Sequence, residues 1–77
     1  MVGTVKFIYS KHVLLRIEQR NLSRSQIQST IVAPNQTLPS FKGRMVVCKR
    51  FGSKTLEAVY KKLNGTIIII TAYWQGE

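Results

Sequence analysis

The spacing of apolar residues along the chain changes period twice. Residues 5–9 are apolar and β-prone around Lys6, which predicts a short first strand or an extended lead-in. The period then becomes helical. Ser10 supplies an N-cap hydroxyl, and residues 11–21 predict a helix with Val13, Leu14, Ile17 and Leu22 along its apolar stripe and Asn21 as its stop. Ser23 opens a second helix with Gln26 three residues later as its capping-box partner. Ile27, Ile31 and Val32 form its inward face, and Pro34 ends it at Ala33, because the residue before proline avoids the α region.

Beyond Pro34 the period is two. Residues 35–41, which hold Pro39, read as a loop or an edge strand. Lys42-Gly43 is a turn, and strands follow over 44–51, 55–61 and 66–74. Gly52-Ser53 between the first two suits a type II′ turn, and Asn64-Gly65 between the last two is the strongest hairpin signal in the chain. This order predicts one α+β domain over residues 1–77. Its two N-terminal helices pack on one face of a three- to four-stranded antiparallel sheet.

The last strand refines that expectation. By simple alternation Ile67, Ile69, Thr71 and Tyr73 point one way and Ile68, Ile70, Ala72 and Trp74 the other, and both sets are apolar. Two helices cover only one face. The second face then calls for a partner chain, a second copy of the chain or a role as a cleft floor, unless the sheet curves enough to cover itself.

Composition adds a partner. Twelve Lys and Arg stand against three Glu (Glu18, Glu57 and Glu77), a net charge of +9 on 77 residues. A charge of that size repels itself unless something negative is nearby, and a phosphate backbone, an anionic membrane surface and an acidic protein are the classes that fit. No leader segment is evident and the longest apolar run, 67–70, is far too short to span a bilayer, so the expectation is a cytoplasmic protein that does not enter a membrane. Cys48 is the sole cysteine, which precludes an internal disulfide, and its strand setting reads as a packed thiol.

Three constellations could carry chemistry. His12, Arg16 and Arg20 recur every four residues along one flank of the first helix, a line suited to an anion, with His12 able to move a proton near neutral pH. The hairpin holding Lys49, Arg50, Phe51 and Lys54 sets three cations and an aromatic ring at a tight turn, suited to phosphates and a stacked base. Tyr60 and Tyr73 lie on neighbouring strands, where a phenol can act as a general acid or orient a ribose 2′-hydroxyl. With no Asp and no Cys/His cluster, neither a two-metal nuclease nor a zinc site is supported, and no cofactor is expected. RNA cleavage by such a chain would use the 2′-hydroxyl as nucleophile, His or Tyr for protons, and Arg or Lys for the developing charge.

One stretch has a familiar form. His12, Arg16 and Arg20-Asn21-Leu22-Ser23 resemble the H-x-x-x-R-x-x-x-R-[GN]-[IL]-S opening of a family of small bacterial and archaeal domains. Leu56-Glu57-Ala58-Val59-Tyr60 and the closing strand 67–73 are similar to that family's later strands, so the likeness runs from about residue 9 to 74. The family is related to the RelE/ParE-type toxins of toxin–antitoxin systems. The resemblance implies a β-α-α-β-β-β fold, an antitoxin partner and metal-independent cleavage of mRNA, often on the ribosome. It implies catalytic roles for Arg50 and Tyr73 and phosphate contacts for Lys49 and Lys54. His12, Arg16 and Arg20 match the small-domain family and not RelE itself. The resulting expectation is a toxin-like ribonuclease or RNA binder, alone or as a homodimer. A non-catalytic nucleic-acid-binding module and a protein that docks an acidic partner are the alternatives.

Overall fold

The computed structural model describes residues 6–38 and 42–76. Their elements run β1 (Lys6–Tyr9), α1 (Lys11–Gln19), α2 (Arg24–Val32), β2 (Gln36–Leu38), β3 (Arg44–Phe51), β4 (Lys54–Leu63) and β5 (Thr66–Trp74). Residue 5 of the expected first strand and residues 39–41 of the expected loop lie outside the described residues.

Both helices start as their sequence signals require. The Ser10 hydroxyl accepts from the Val13 amide at 3.2 Å. Ser23 and Gln26 complete a reciprocal capping box, with bonds of 3.0 and 3.2 Å. Helix α1 ends two residues earlier than expected, at Gln19: Arg20 is its C-cap, and Asn21 takes the left-handed conformation at φ 55 that asparagine tolerates. Val13, Leu22, Ile27 and Ile31 are buried against the sheet, whereas Val32 is 72% exposed and does not belong to the inward face of α2. Its place is taken by Thr30, buried with its hydroxyl donating to the Gln26 carbonyl at 2.8 Å.

The sheet has five strands in the order β1-β5-β4-β3-β2 and is mixed, not a three- to four-stranded antiparallel meander. Strand β1 pairs in parallel with β5, Lys6 opposite Thr66 and Tyr9 opposite Ile69. A parallel neighbour needs a long crossover and leaves no local turn signature, so hairpin signals alone under-count the strands. The β3–β4 and β4–β5 hairpins close where expected: Gly52 lies at φ 65, and Asn64 and Gly65 at φ 47 and 78.

Strand β5 does not alternate simply. Val59 pairs with Thr71 and Tyr60 with Ile69, so Ile70 is an unpaired extra residue, a β-bulge. Before the bulge Ile67 and Ile69 face the helices; after it Ala72 and Trp74 do. The expected split into two strictly alternating sets is therefore wrong from residue 70 onward. Ser10 secures the irregularity from the helical layer: its amide donates to the Ile69 carbonyl at 3.2 Å and its hydroxyl to the Ile70 carbonyl at 2.9 Å.

Candidate functional site

The helices cover the face of the sheet that carries Val47, Leu56, Ala58, Ile69 and Trp74. No described helix covers the other face. Register makes its rows explicit. Tyr73, Glu57, Cys48 and Gln36 lie side by side across β5, β4, β3 and β2. Thr71, Val59, Val46 and Leu38 form the row beneath. Above, Thr55 pairs with Arg50, and the Gln75 amide reaches the Thr55 carbonyl at 2.8 Å.

Glu57 is the centre of the polar rows. The Tyr73 phenol donates to one of its carboxylate oxygens, while Gln75 Nε2 donates to the other at 3.0 Å. The Cys48 thiol lies 3.8 Å from that second oxygen and also receives Gln75 Nε2 at 3.5 Å. The carboxylate draws the phenol proton toward itself. That bond first, and partial removal from water second, push the Tyr73 pKa up from 10.0 to about 12. Tyr73 thus keeps its proton, donated to Glu57, throughout the neutral range. Burial, reinforced by the Glu57 charge, also pushes the Cys48 thiol up, so it stays protonated and is a poor nucleophile.

Arg50 borders this cluster. Its backbone amide donates to Asn35 Oδ1 at 2.8 Å, and its Nε donates to the Gly52 carbonyl at 3.1 Å, which leaves the two terminal nitrogens of the guanidinium for a ligand. Between these groups is a depression of about 320 Å³ lined by Asn35, Gln36, Cys48, Lys49, Arg50, Thr55 and Gln75. Cations continue along the same face: Arg44 and Lys61 are exposed and directly opposite each other across β3 and β4, a like-charge pair that favours an anion between them.

The residues singled out in the sequence fall in three places. Arg50 and Tyr73 share the uncovered face. Lys49, Lys54 and Tyr60 point to the helical side of the sheet: Lys49 Nζ donates to the Ala33 carbonyl at 2.8 Å and so caps α2, Lys54 Nζ sits 5.7 Å from the Trp74 ring centre, and Tyr60 packs on the core. His12 and Arg16 lie on α1 and Arg20 is its C-cap, all in the helical layer, with the Arg20 carbonyl accepting from Trp74 Nε1 at 3.1 Å. Sequence reasoning missed Glu57 as a partner of Tyr73, and Asn35, Gln36 and Gln75 altogether. Among the described residues no group of three or more His, Cys, Asp or Glu is placed to hold a metal ion, and no helix is long and apolar enough to cross a membrane.

A family described as a domain of unknown function (DUF4258) matches residues 9–74. No curated protein matches the chain. Among solved structures, the fold is similar to that of the Brucella abortus ribonuclease toxin BrnT, with a TM-score of 0.72 and 14% identity over 96% of this chain and 100% of that one.

Proposed function

The chain belongs to the DUF4258 family, and we propose that it is the toxin-like member of a toxin–antitoxin pair, acting on RNA through the uncovered face of its sheet. The observation that carries this reading is the Tyr73 phenol held by Glu57 in the row next to Arg50, on a face that no described helix covers. The fold shared with a ribonuclease toxin supports it.

The proposed chemistry is transesterification at a single phosphodiester. The ribose 2′-oxygen attacks phosphorus, a P–O2′ bond forms and the P–O5′ bond breaks. The Tyr73 hydroxyl turns from Glu57 to the departing 5′-oxygen and delivers its proton there, and the proton of the 2′-hydroxyl leaves to water. The free guanidinium nitrogens of Arg50 stabilise the charge that builds on the phosphorane oxygens. Glu57 orients the phenol, and Gln75 and Cys48 steady Glu57. Arg44 and Lys61 hold the flanking phosphates. His12, Arg16 and Arg20 form a separate flank in the helical layer, where longer RNA, ribosome-bound mRNA included, would find further contacts.

The half-buried Val46 and Val59, with Ile68 in the next row and Ile8, exposed at 41%, beside it, make an apolar strip suited to a protein segment that shields the same face. An antitoxin that lies there would block RNA. Expression in a bacterial host tests the reading. Wild type should arrest growth and leave cut RNA, and Tyr73→Phe and Arg50→Ala should each relieve the arrest while remaining folded. Normal growth with intact RNA overturns the toxin reading, and salt-sensitive RNA binding without cleavage would leave a nucleic-acid-binding module.

A further inference from the structure

We propose that the depression centred on Cys48 is a nucleobase subsite, formed by the carboxamides of Asn35, Gln36 and Gln75, that sets which nucleotide lies next to the scissile bond. The inference deepens the RNA reading above and rests on it. Three residues with amide side chains meet at Cys48. The Asn35 backbone N–H donates to the Cys48 carbonyl at 2.9 Å, Gln36 is the cross-strand partner of Cys48, and Gln75 Nε2 reaches its thiol at 3.5 Å. All three line the same depression of about 320 Å³, enough room for one planar base.

Each amide has a defined polarity there. Asn35 spends its oxygen on the Arg50 backbone N–H, so its two amide hydrogens are left to donate. Gln75 spends its nitrogen on Glu57 and Cys48, so its oxygen is left to accept. Gln36 is exposed at its place on β2 and can present either group. A neutral donor next to a neutral acceptor suits the edge of a base, where a phosphate would prefer cations alone. The position agrees with the chemistry, because Arg50 borders the depression and Glu57, which holds Tyr73, is bonded to its Gln75 wall. A base seated on Cys48 would leave its own phosphate within the reach of Arg50. Chains with this fold that differ at the three amides would then cut at different nucleotides.

The test uses the whole chain and four RNA trinucleotides that differ only in the middle base, followed by NMR through the side-chain amide signals. For wild type, the Asn35, Gln36 and Gln75 amide signals should move, and the best and worst trinucleotides should differ in affinity by roughly tenfold, as one paired hydrogen-bonding edge provides. Asn35→Asp keeps the acceptor for the Arg50 amide but replaces the outward donor with an oxygen, so the ranking of bases should reorder. Gln36→Ala, on an exposed edge strand, should narrow the spread to about threefold or less. Equal binding of all four, or shifts that spare these amides, overturns the subsite and leaves the RNA reading standing. Failure of longer RNA to bind as well overturns both.

Discussion

The phenol of Tyr73 donates to the carboxylate of Glu57 across the β4–β5 ladder, joining an acid on one strand to the base that orients it on the next. The bond favours the protonated phenol in the folded chain, with a pKa of about 12 against 10.0 for an ordinary tyrosine. Its contribution to stability is therefore complete below pH 10 and disappears as pH rises through about 12. Ultraviolet titration of the phenolate band should find one of the three tyrosines ionising near 12 in wild type. Glu57→Gln should bring that ionisation back toward 10, since the neutral amide no longer attracts the proton. A Tyr73 that ionises at its ordinary value in wild type would remove the proposed proton donor's anchor.

Removing the bulge residue should leave the site facing the same way. Deletion of Ile70 would place Thr71 directly after Ile69 and restore continuous pairing, with Val59 still opposite Thr71 and Glu57 still opposite Tyr73. Trp74, 7% exposed and packed edge-on against Phe51 at 6.2 Å, should stay buried. Trp74 is the sole tryptophan, so its emission reports the outcome directly: the deletion should leave it unshifted, and a shift to the red would show that the strand had slipped by one residue. A milder probe is Ser10→Ala, which strips both the α1 cap and the bond to the Ile70 carbonyl. It should lower stability by about 1–2 kcal/mol in urea titration while leaving Trp74 emission unchanged.

This bulge also marks how far the fold and site were legible in the sequence. The two hairpin turns were, because Gly52-Ser53 and Asn64-Gly65 have few other uses, and counting back from the first pairs Cys48 with Glu57 as observed. Counting from the second pairs Glu57 with Ala72 and is wrong by one residue, since nothing in the run of four isoleucines over 67–70 says which one is extra. That one residue decides whether Tyr73 meets Glu57, so Arg50 and Tyr73 could be chosen but their carboxylate partner could not. The carboxamides were invisible for another reason: Asn35 and Gln75 flank strands far apart in sequence, and only β2, which read as loop or edge, and the Gln75–Thr55 bond bring them together.

Lys49 offers a test of how charge is shared between stability and binding. Its amine donates to the Ala33 carbonyl at the end of α2, whose last turn holds no other basic residue. Lys49→Met should therefore destabilise the fold by roughly 0.5–1 kcal/mol through loss of the cap. If the amine serves α2 alone, RNA affinity at fixed salt should hardly change. A drop in affinity of tenfold or more with stability intact would assign Lys49 to the phosphates, as the family resemblance implied.

Salt dependence should locate the RNA. Each cation that neutralises a phosphate of a single strand adds about 0.7 to the slope of log affinity against log salt. Arg44 and Lys61 face each other on the uncovered side, so Arg44→Ser and Lys61→Ser should each reduce the slope by about that amount even for short RNA. Arg16 lies in the helical layer, and Arg16→Ser should matter only for RNA long enough to pass around the edge of the sheet. Binding isotherms for a short and a long RNA over a range of salt separate these cases. Slopes that respond to Arg16→Ser and ignore Arg44→Ser with the short RNA would move the nucleic acid to the helical layer, away from Tyr73, and would remove the geometric basis for cleavage on the open face.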